Sequence, residues 1–249
     1  DAQAALIAKK LLSFLPQNNT EDPPEIEHDG NADDDPFLDS VIPDDYRKPY
    51  DVRDVIAHVI DDGDFLEVHA SWAVNAVVGF GRVVGRTVGV IANQPNQLSG
   101  VLDINASDKI ARFVRFCNAF NIPLLTFVDT PGFMPGVDQE YNGIIRHGAK
   151  VLFAYSAATV PKVTVVLRKA FGGAYIAMCA RALGADKVFA WPSAEIAVMG
   201  AEGAAGIVFR KEISQADDPA GKRQELIDEY RGTFANPYVA SEHGLVDDV

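Results

Sequence analysis

The stretch "KAFGGAYIAM", residues 169–178, sets two adjacent glycines and an alanine at the exit of an apolar run, "VTVVL". Small residues there leave backbone amides uncovered. In the first turn of a helix such amides have no carbonyl partner within the helix, and the helix dipole adds partial positive charge. Gly172, Gly173 and Ala174 could therefore meet an oxyanion with backbone N–H groups. Close packing of two backbones is the other use of such a corner, and the residue types alone leave both open. A second stretch, "DTPGFMPG" at 129–136, carries two Pro-Gly steps, a turn signature, after another apolar run. Loops at the carboxyl ends of parallel strands are where ligands bind. An exposed Phe133 and Met134 on that loop are expected to form a pocket wall. A third stretch, "WPSAEIAVMGAEGAAGIVF", suits tight subunit packing or a long acyl carrier.

The ionisable residues offer no acid–base pair. His147 lies beside Arg146 in "IIRHGAK" and reads as a structural partner rather than a base. His28, His58, His69 and His243 have no companion carboxylate at a telling spacing. Glu195 and Glu202 lie close to glycine turns and stay open. Cys117 and Cys179 sit in helical patterns and suit buried thiols in a reducing compartment. No Cys/His spacing resembles a metal site, so no metal is expected. Neither GxxxxGK[ST] nor GxSxG occurs. "GFGRVVG", residues 79–85, is followed by strand formers instead of the helix a dinucleotide turn requires. It reads as a hairpin with Gly85 at the turn. Many backbone donors and no nucleophile point to chemistry in which an anion develops and the proton is handled elsewhere. An enolate formed from a thioester would qualify.

These residues need elements to hold them. Residues 4–15 read as a helix, with Leu6, Ile7, Leu11 and Leu15 near a 3.6 period and Pro16 after its end. Residues 17–50, rich in Pro, Asn and Asp, read as a linker or loop. It is either disordered or laid over the surface through Phe37, Leu38, Val41, Ile42 and Tyr46. Residues 51–60 form a short helix capped by Asp51. From residue 65 strands begin: "FLEVHASW", "NAVVGFGRVVG" and "RTVGVIANQP". A helix follows, with Asn105, Ser107 or Asp108 as cap and Ile110, Phe113, Val114, Cys117 and Phe120 on one face. Then come "IPLLTFV", a helix over 140–157, "KVTVVL", a helix from about Gly173, "KVFAW", "EIAVM" and a polar helix at 219–231. Short apolar strands alternating with helices mean a largely parallel sheet covered by helices. A hairpin before the first long helix gives a β-β-α rhythm.

The net charge is -13, and residues 21–68 hold 17 Asp/Glu against 3 Lys/Arg while 69–249 hold 17 of each. The acidity belongs to one segment. No basic stripe gathers anywhere, which argues against nucleic acid as a partner. No apolar run approaches the roughly 20 residues that span a bilayer, and the N-terminal stretch lacks the features of a signal peptide.

The long run from "NIPLLTFVDTPGFMPG" through "KAFGGAYIAM" to "EIAVMGAEGA" closely resembles the biotin-dependent acyl-CoA carboxyltransferases, a family that includes propionyl-CoA carboxylase β subunits and transcarboxylase 12S subunits. The resemblance extends over the whole chain, through "KEISQADDP" and "NPYVASEHGLVDDV". It implies an α/β, crotonase-like (ClpP/crotonase) β-β-α superhelix. It further implies an interdomain helix and acidic linker at 1–64 and a C-terminal carboxyltransferase domain at 65–249. The family's N-terminal domain, which binds most of the CoA, is then missing, and the fragment alone would be inactive. The implied activity moves CO₂ between biotin on a carrier protein and propionyl-CoA or methylmalonyl-CoA. A decarboxylase subunit of a sodium pump, or a non-catalytic oligomerisation module, are the alternatives.

The resemblance also distributes roles. The amides of Gly173 and Ala174 would bind the ureido oxygen of biotin. Gly132, Phe133, Pro135 and Gly172 would shape the biotin side, and Tyr175 and Ile176 the acyl pocket. Propionyl-CoA carboxylases commonly carry Asp after "GGAY"; Ile176 resembles the transcarboxylase and decarboxylase subunits instead. The implied partners are a biotin carboxyl carrier protein, a biotin carboxylase or keto-acid carboxyltransferase subunit, and further copies of the chain in a trimer or hexamer. The implied location is the cytoplasm, or the mitochondrial matrix in a eukaryote.

Overall fold

A computed structural model describes residues 2–28, 35–45 and 47–249. Tyr46, one of the expected surface anchors, lies outside them. Among the described residues the helices are α1 (Ala2–Leu12), α2 (Val52–Val59), α3 (Ile104–Ala119), α4 (Val137–Tyr141), α5 (Ile144–Ala157), α6 (Gly172–Ala177), α7 (Ala201–Val208), α8 (Arg210–Gln215), α9 (Pro219–Thr233) and α10 (Pro237–Glu242). The strands are β1 (Leu66–Val68), β2 (Ala76–Val83), β3 (Arg86–Asn93), β4 (Leu124–Thr130), β5 (Lys162–Phe171), β6 (Lys187–Ala190) and β7 (Glu195–Ala197). They form one sheet in the order β1-β2-β3-β4-β5-β6, with β7 also beside β5. The first three strands are antiparallel; β3 to β6, and β7, run parallel to their neighbours. The expected β-β-α rhythm is present as β2, β3 and α3.

"GFGRVVG" is the β2–β3 hairpin. Val84 and Gly85 form its two-residue turn, with φ of 51° and 77°. That handedness matches the strand twist, but it strains a β-branched residue. The Asp61 carboxylate offsets the strain by accepting from the Val84 and Gly85 amides at 2.9 and 2.7 Å.

Side chains alternate across the sheet. On one face Val78, Phe80, Ile91, Leu124 and Val128 pack with Ile110, Phe113 and Val114 of α3, Val151 and Tyr155 of α5, and Ala174 and Ala177 of α6. On the other face Val77, Val90, Phe127 and Leu167 pack with Tyr50 and with Val52, Val55 and Ile56 of α2. Leu38, Val41 and Ile42 close that second layer. The acidic segment is thus laid over the sheet where it is described, and Phe37 stacks on His58 at 4.0 Å.

Asp51 caps α2, its carboxylate accepting from the Arg53 amide at 2.9 Å. For α3 the cap is Asp103, two to five residues before the expected Asn105, Ser107 or Asp108: its side chain accepts from the Ala106 amide at 2.8 Å. The helix expected over 140–157 is two, broken at Asn142 and Gly143, where Gly143 turns left-handed. Lys109 of α3 is buried and donates to the carbonyls of His69, Trp72, Ala73 and Ala76, between 2.7 and 3.4 Å. One ammonium therefore holds the β1–β2 connection.

Candidate functional site

The sheet delivers two stretches to one place. β5 ends at Phe171, and α6 begins at once with Gly172, Gly173 and Ala174. Phe171 offers no side-chain cap. The amides of the first turn are left to whatever approaches the corner.

The two glycines differ. Gly172 has φ +57°, and a Cβ there would lie 3.0 Å from the Val198 carbonyl oxygen. It is glycine for the backbone's sake. Gly173 is exposed, and a Cβ on it would meet only Phe133 Cε2, at 3.9 Å. No strain or crowding demands glycine there; its bareness keeps the surface over the amides open. Ala174 is fully buried. Tyr175 also points into the main core, where burial pushes its hydroxyl pKa up to about 12. Ile176 is 45% exposed and faces outward.

The 129–136 loop is stitched down as a single parallel bridge. The Leu102 amide donates to the Gly132 carbonyl at 3.0 Å, and the Met134 amide to the Leu102 carbonyl at 2.8 Å. Phe133 and Met134 are half-buried rather than exposed. The Phe133 ring lies against Gly148 of α5, where a Cβ would sit 2.8 Å from Cε1. The other edge of the ring approaches Gly173. Pro135 is exposed on the loop. Phe133, Gly132 and Gly173 are thereby brought together, while Tyr175 turns into the core and Ile176 faces outward.

The ionisable residues find partners at distances along the chain that spacing cannot reveal. His147 Nδ1 lies 2.9 Å from Asp108 Oδ1, and Lys150 donates to the same oxygen at 2.7 Å. Burial acts to raise the Asp108 pKa, but the Lys150 and His147 bonds hold it below the usual value. This cluster ties α3 to α5, the structural role expected of His147. His58 Nδ1 lies 2.5 Å from Asp35, and His28 Nε2 3.6 Å from Asp61. Glu195 and Glu202 both bond Arg231 of α9, at 3.1 and 2.5 Å. Cys117 lies within α3 and is buried. Cys179 is buried too, but lies just beyond α6 with φ 63°, outside any helix. Burial raises both thiols, Cys179 to about 11. Neither is a thiolate at neutral pH. Among the described residues no His/Cys/Asp/Glu group could hold a metal, and no helix is long and apolar enough to cross a membrane.

The arrangement can present amide donors beside an aromatic wall to a small anionic acceptor. Comparison with known proteins shows which family the chain resembles. The carboxyl transferase domain family covers residues 1–249. The methylmalonyl-CoA carboxyltransferase 12S subunit of Propionibacterium freudenreichii subsp. shermanii is 64% identical over 249 residues, which is 100% of this chain and 48% of that protein. The propionyl-CoA carboxylase carboxyltransferase subunit of Haloferax mediterranei is 57% identical, again over 100% of this chain and 48% of its own length. A crystal structure of transcarboxylase 12S, with methylmalonyl-coenzyme A and methylmalonic acid bound, superposes with a TM-score of 0.94 at 64% identity, covering 98% of this chain and 47% of that one. The α/β fold with its mixed sheet and flanking helices is thus the crotonase-like carboxyltransferase fold. The chain spans about half the length of the curated relatives it matches. By its sequence over all 249 residues and by its fold, the chain belongs to the carboxyl transferase domain family.

Proposed function

We propose that the protein carrying this chain moves a carboxyl group between biotin on a carrier protein and propionyl-CoA or methylmalonyl-CoA. The observation that carries the reading is the corner itself: uncapped amides at Gly173 and Ala174, an exposed Gly173, and the Phe133 ring beside it. That geometry fits biotin, whose flat ureido group presents one carbonyl oxygen. When bound, biotin supplies the carrier of CO₂ and a ureido nitrogen able to exchange a proton. The chain's own part is to meet negative charge on the ureido oxygen with two backbone dipoles held by a rigid strand end. Gly172 sets the turn that aims them. Gly132, Phe133 and Pro135 wall the biotin side. Tyr175 supports α6 from the core, and Ile176 faces the acyl group.

The 64% identity to a 12S subunit and the apolar Ile176 favour transfer from methylmalonyl-CoA to a second acceptor over net carboxylation. In this reading residues 1–64 connect to a domain that binds CoA, and 65–249 form the biotin-side domain. Partners are a biotin carboxyl carrier protein, a biotin carboxylase or keto-acid carboxyltransferase subunit, and further copies of the chain in a trimer or hexamer. The two buried thiols suit a cytoplasmic or matrix setting.

Replacing Ala174 with Pro removes one amide donor, and as the third residue of α6 its N–H has no intrahelical carbonyl partner to lose. In the intact protein, with biotin and methylmalonyl-CoA, carboxyl transfer is expected to fall about 10²–10³-fold. Unchanged turnover in a folded Ala174→Pro protein would remove the amides from the mechanism.

A further inference from the structure

β5 changes partner partway along its length. Its first part runs beside β6 as far as Val166↔Ala190, and its end runs beside β7 from Lys169↔Glu195. On its other side the pairing with β4 jumps from Val128↔Val166 to Thr130↔Ala170. Asp129 therefore stands opposite Leu167, Arg168 and Lys169 together. An irregularity of this kind bends a strand and re-aims its side chains. It also leaves donors that a regular ladder would satisfy.

The Asp129 carboxylate takes up one such backbone donor, from Lys169, and the Arg168 side chain besides. Oδ1 accepts from the Lys169 amide at 3.2 Å, and Oδ2 accepts from Arg168 Nε at 2.9 Å. The Asp129 amide donates to Asn93 Oδ1 at 3.2 Å. Asp129 is 1% exposed and Arg168 4%, so each charge depends on the other. Arg168 then reaches out of the sheet. Its Nη1 donates to the Lys48 carbonyl at 2.9 Å, and its guanidinium carbon lies 4.9 Å from the Tyr50 ring centroid. One side chain thus joins the elbow of β5 to the 47–50 segment that leads into α2. Just beyond the elbow, β5 ends and the Gly172–Ala174 corner begins. On the neighbouring strand, Asp129 opens the loop that carries Phe133.

We infer that Asp129 and Arg168 are positioning residues: they set the angle at which β5 delivers the Gly173 and Ala174 amides, and make that angle depend on how the 47–50 segment is seated. The inference rests on the function proposed above for those amides.

Arg168→Lys keeps a cation for Asp129 but loses the second donor arm and the flat guanidinium over Tyr50. In the intact protein carrying this chain, amide hydrogen exchange is expected to quicken together at 47–50 and at the hydrogen-bonded amides 176–178 at the end of α6, whose bonds run back to the corner, by tenfold or more, while the β6 amides keep their rate. With free biotin as probe, kcat for carboxyl transfer falls about tenfold and the KM for biotin rises, while the KM for methylmalonyl-CoA stays put. A merely structural role would not split the two KM values. Should Arg168→Lys fail to fold, Tyr50→Leu removes the aromatic partner, leaves the ion pair and is read by the same measurements. Opening of 47–50 with unchanged exchange at 176–178 overturns the inference. If the wild-type protein transfers no carboxyl group, the proposed function fails, and the exchange comparison still decides whether the segment and the corner are coupled.

Discussion

Gly172 and Gly173 are chemically identical neighbours with different reasons to be glycine. Gly172 lies in the left-handed region and approaches a backbone oxygen at the distance where a Cβ would crowd it. Gly172→Ala is expected to lower stability by about 1–3 kcal/mol through strain in the left-handed region. Gly173 has an ordinary backbone conformation and open space around it. Gly173→Ala should change stability little, and a methyl there instead narrows the approach to the amides. Thermal melts of both variants, paired with carboxyl-transfer rates, make the test: Gly172→Ala loses stability, and Gly173→Ala loses turnover at an unchanged melting temperature. Equal melts for the two would show that the backbone of Gly172 is not strained. The sequence made the bare corner visible at once, because small residues at a strand exit are rare without cause. Which glycine served the backbone and which served the surface depended on Val198 and Phe133, residues brought in from other loops.

At the scale of elements, the parallel strands and the β-β-α rhythm were legible because the central strands are short apolar runs and α3, which follows the hairpin, keeps one apolar face. The elbow in β5 was not, since "KVTVVLRKAF" reads as one continuous strand and only the change of partner from β6 to β7 reveals the bend. The seat of α9 was equally hidden. That helix is mostly polar; it packs Ile227 and Tyr230 against Ala201 and Ala205 of α7, and its Arg231 bonds Glu195 of β7 and Glu202 of α7. Burial raises the Glu195 pKa, the Arg231 charge lowers it, and the Glu202 charge raises it again. Arg231→Met removes the lowering influence, so the folded pKa of Glu195 rises further above its unfolded value. A carboxyl group with a raised folded pKa holds more protons in the native state, and stability therefore falls as pH climbs through that pKa. The variant should lose roughly 1–3 kcal/mol at neutral pH and recover part of it toward pH 5. Melting curves of wild type and variant at both pH values read this out. A deficit that does not grow between acid and neutral pH would mean that the two glutamates do not share the guanidinium's charge.

Across the whole molecule, the charge is concentrated in the segment that covers one face of the sheet. Residues 21–68 hold 17 acidic side chains and 3 basic ones, whereas 69–249 are balanced. Within the acidic segment α2 is firmly seated through Val52, Val55 and Ile56, whereas the stretch at 35–45 has modest attachments: Leu38, Val41 and Ile42 against the second core and Phe37 stacked on His58. Like charges crowded along one segment repel one another, and at low salt that repulsion works against the seated conformation. Salt shortens the reach of the repulsion, from about 30 Å at 0.01 M to about 3 Å at 1 M. Apolar and stacking contacts are not screened. Raising the ionic strength should therefore seat the segment more firmly, which is opposite to the effect expected if surface ion pairs held it. Amide exchange at 35–45 is expected to slow several-fold between 0.01 and 0.5 M sodium chloride, while exchange in β4 and β5 stays constant. If exchange at 35–45 quickens with salt, ion pairs such as His58–Asp35 and not the apolar anchors hold the cover in place. Because the same cover reaches the β5 elbow through Lys48 and Tyr50, the protein's carboxyl-transfer rate should rise over the same salt range in which exchange at 35–45 slows. A rate that falls with salt while the segment tightens would separate the acidic cover from the site.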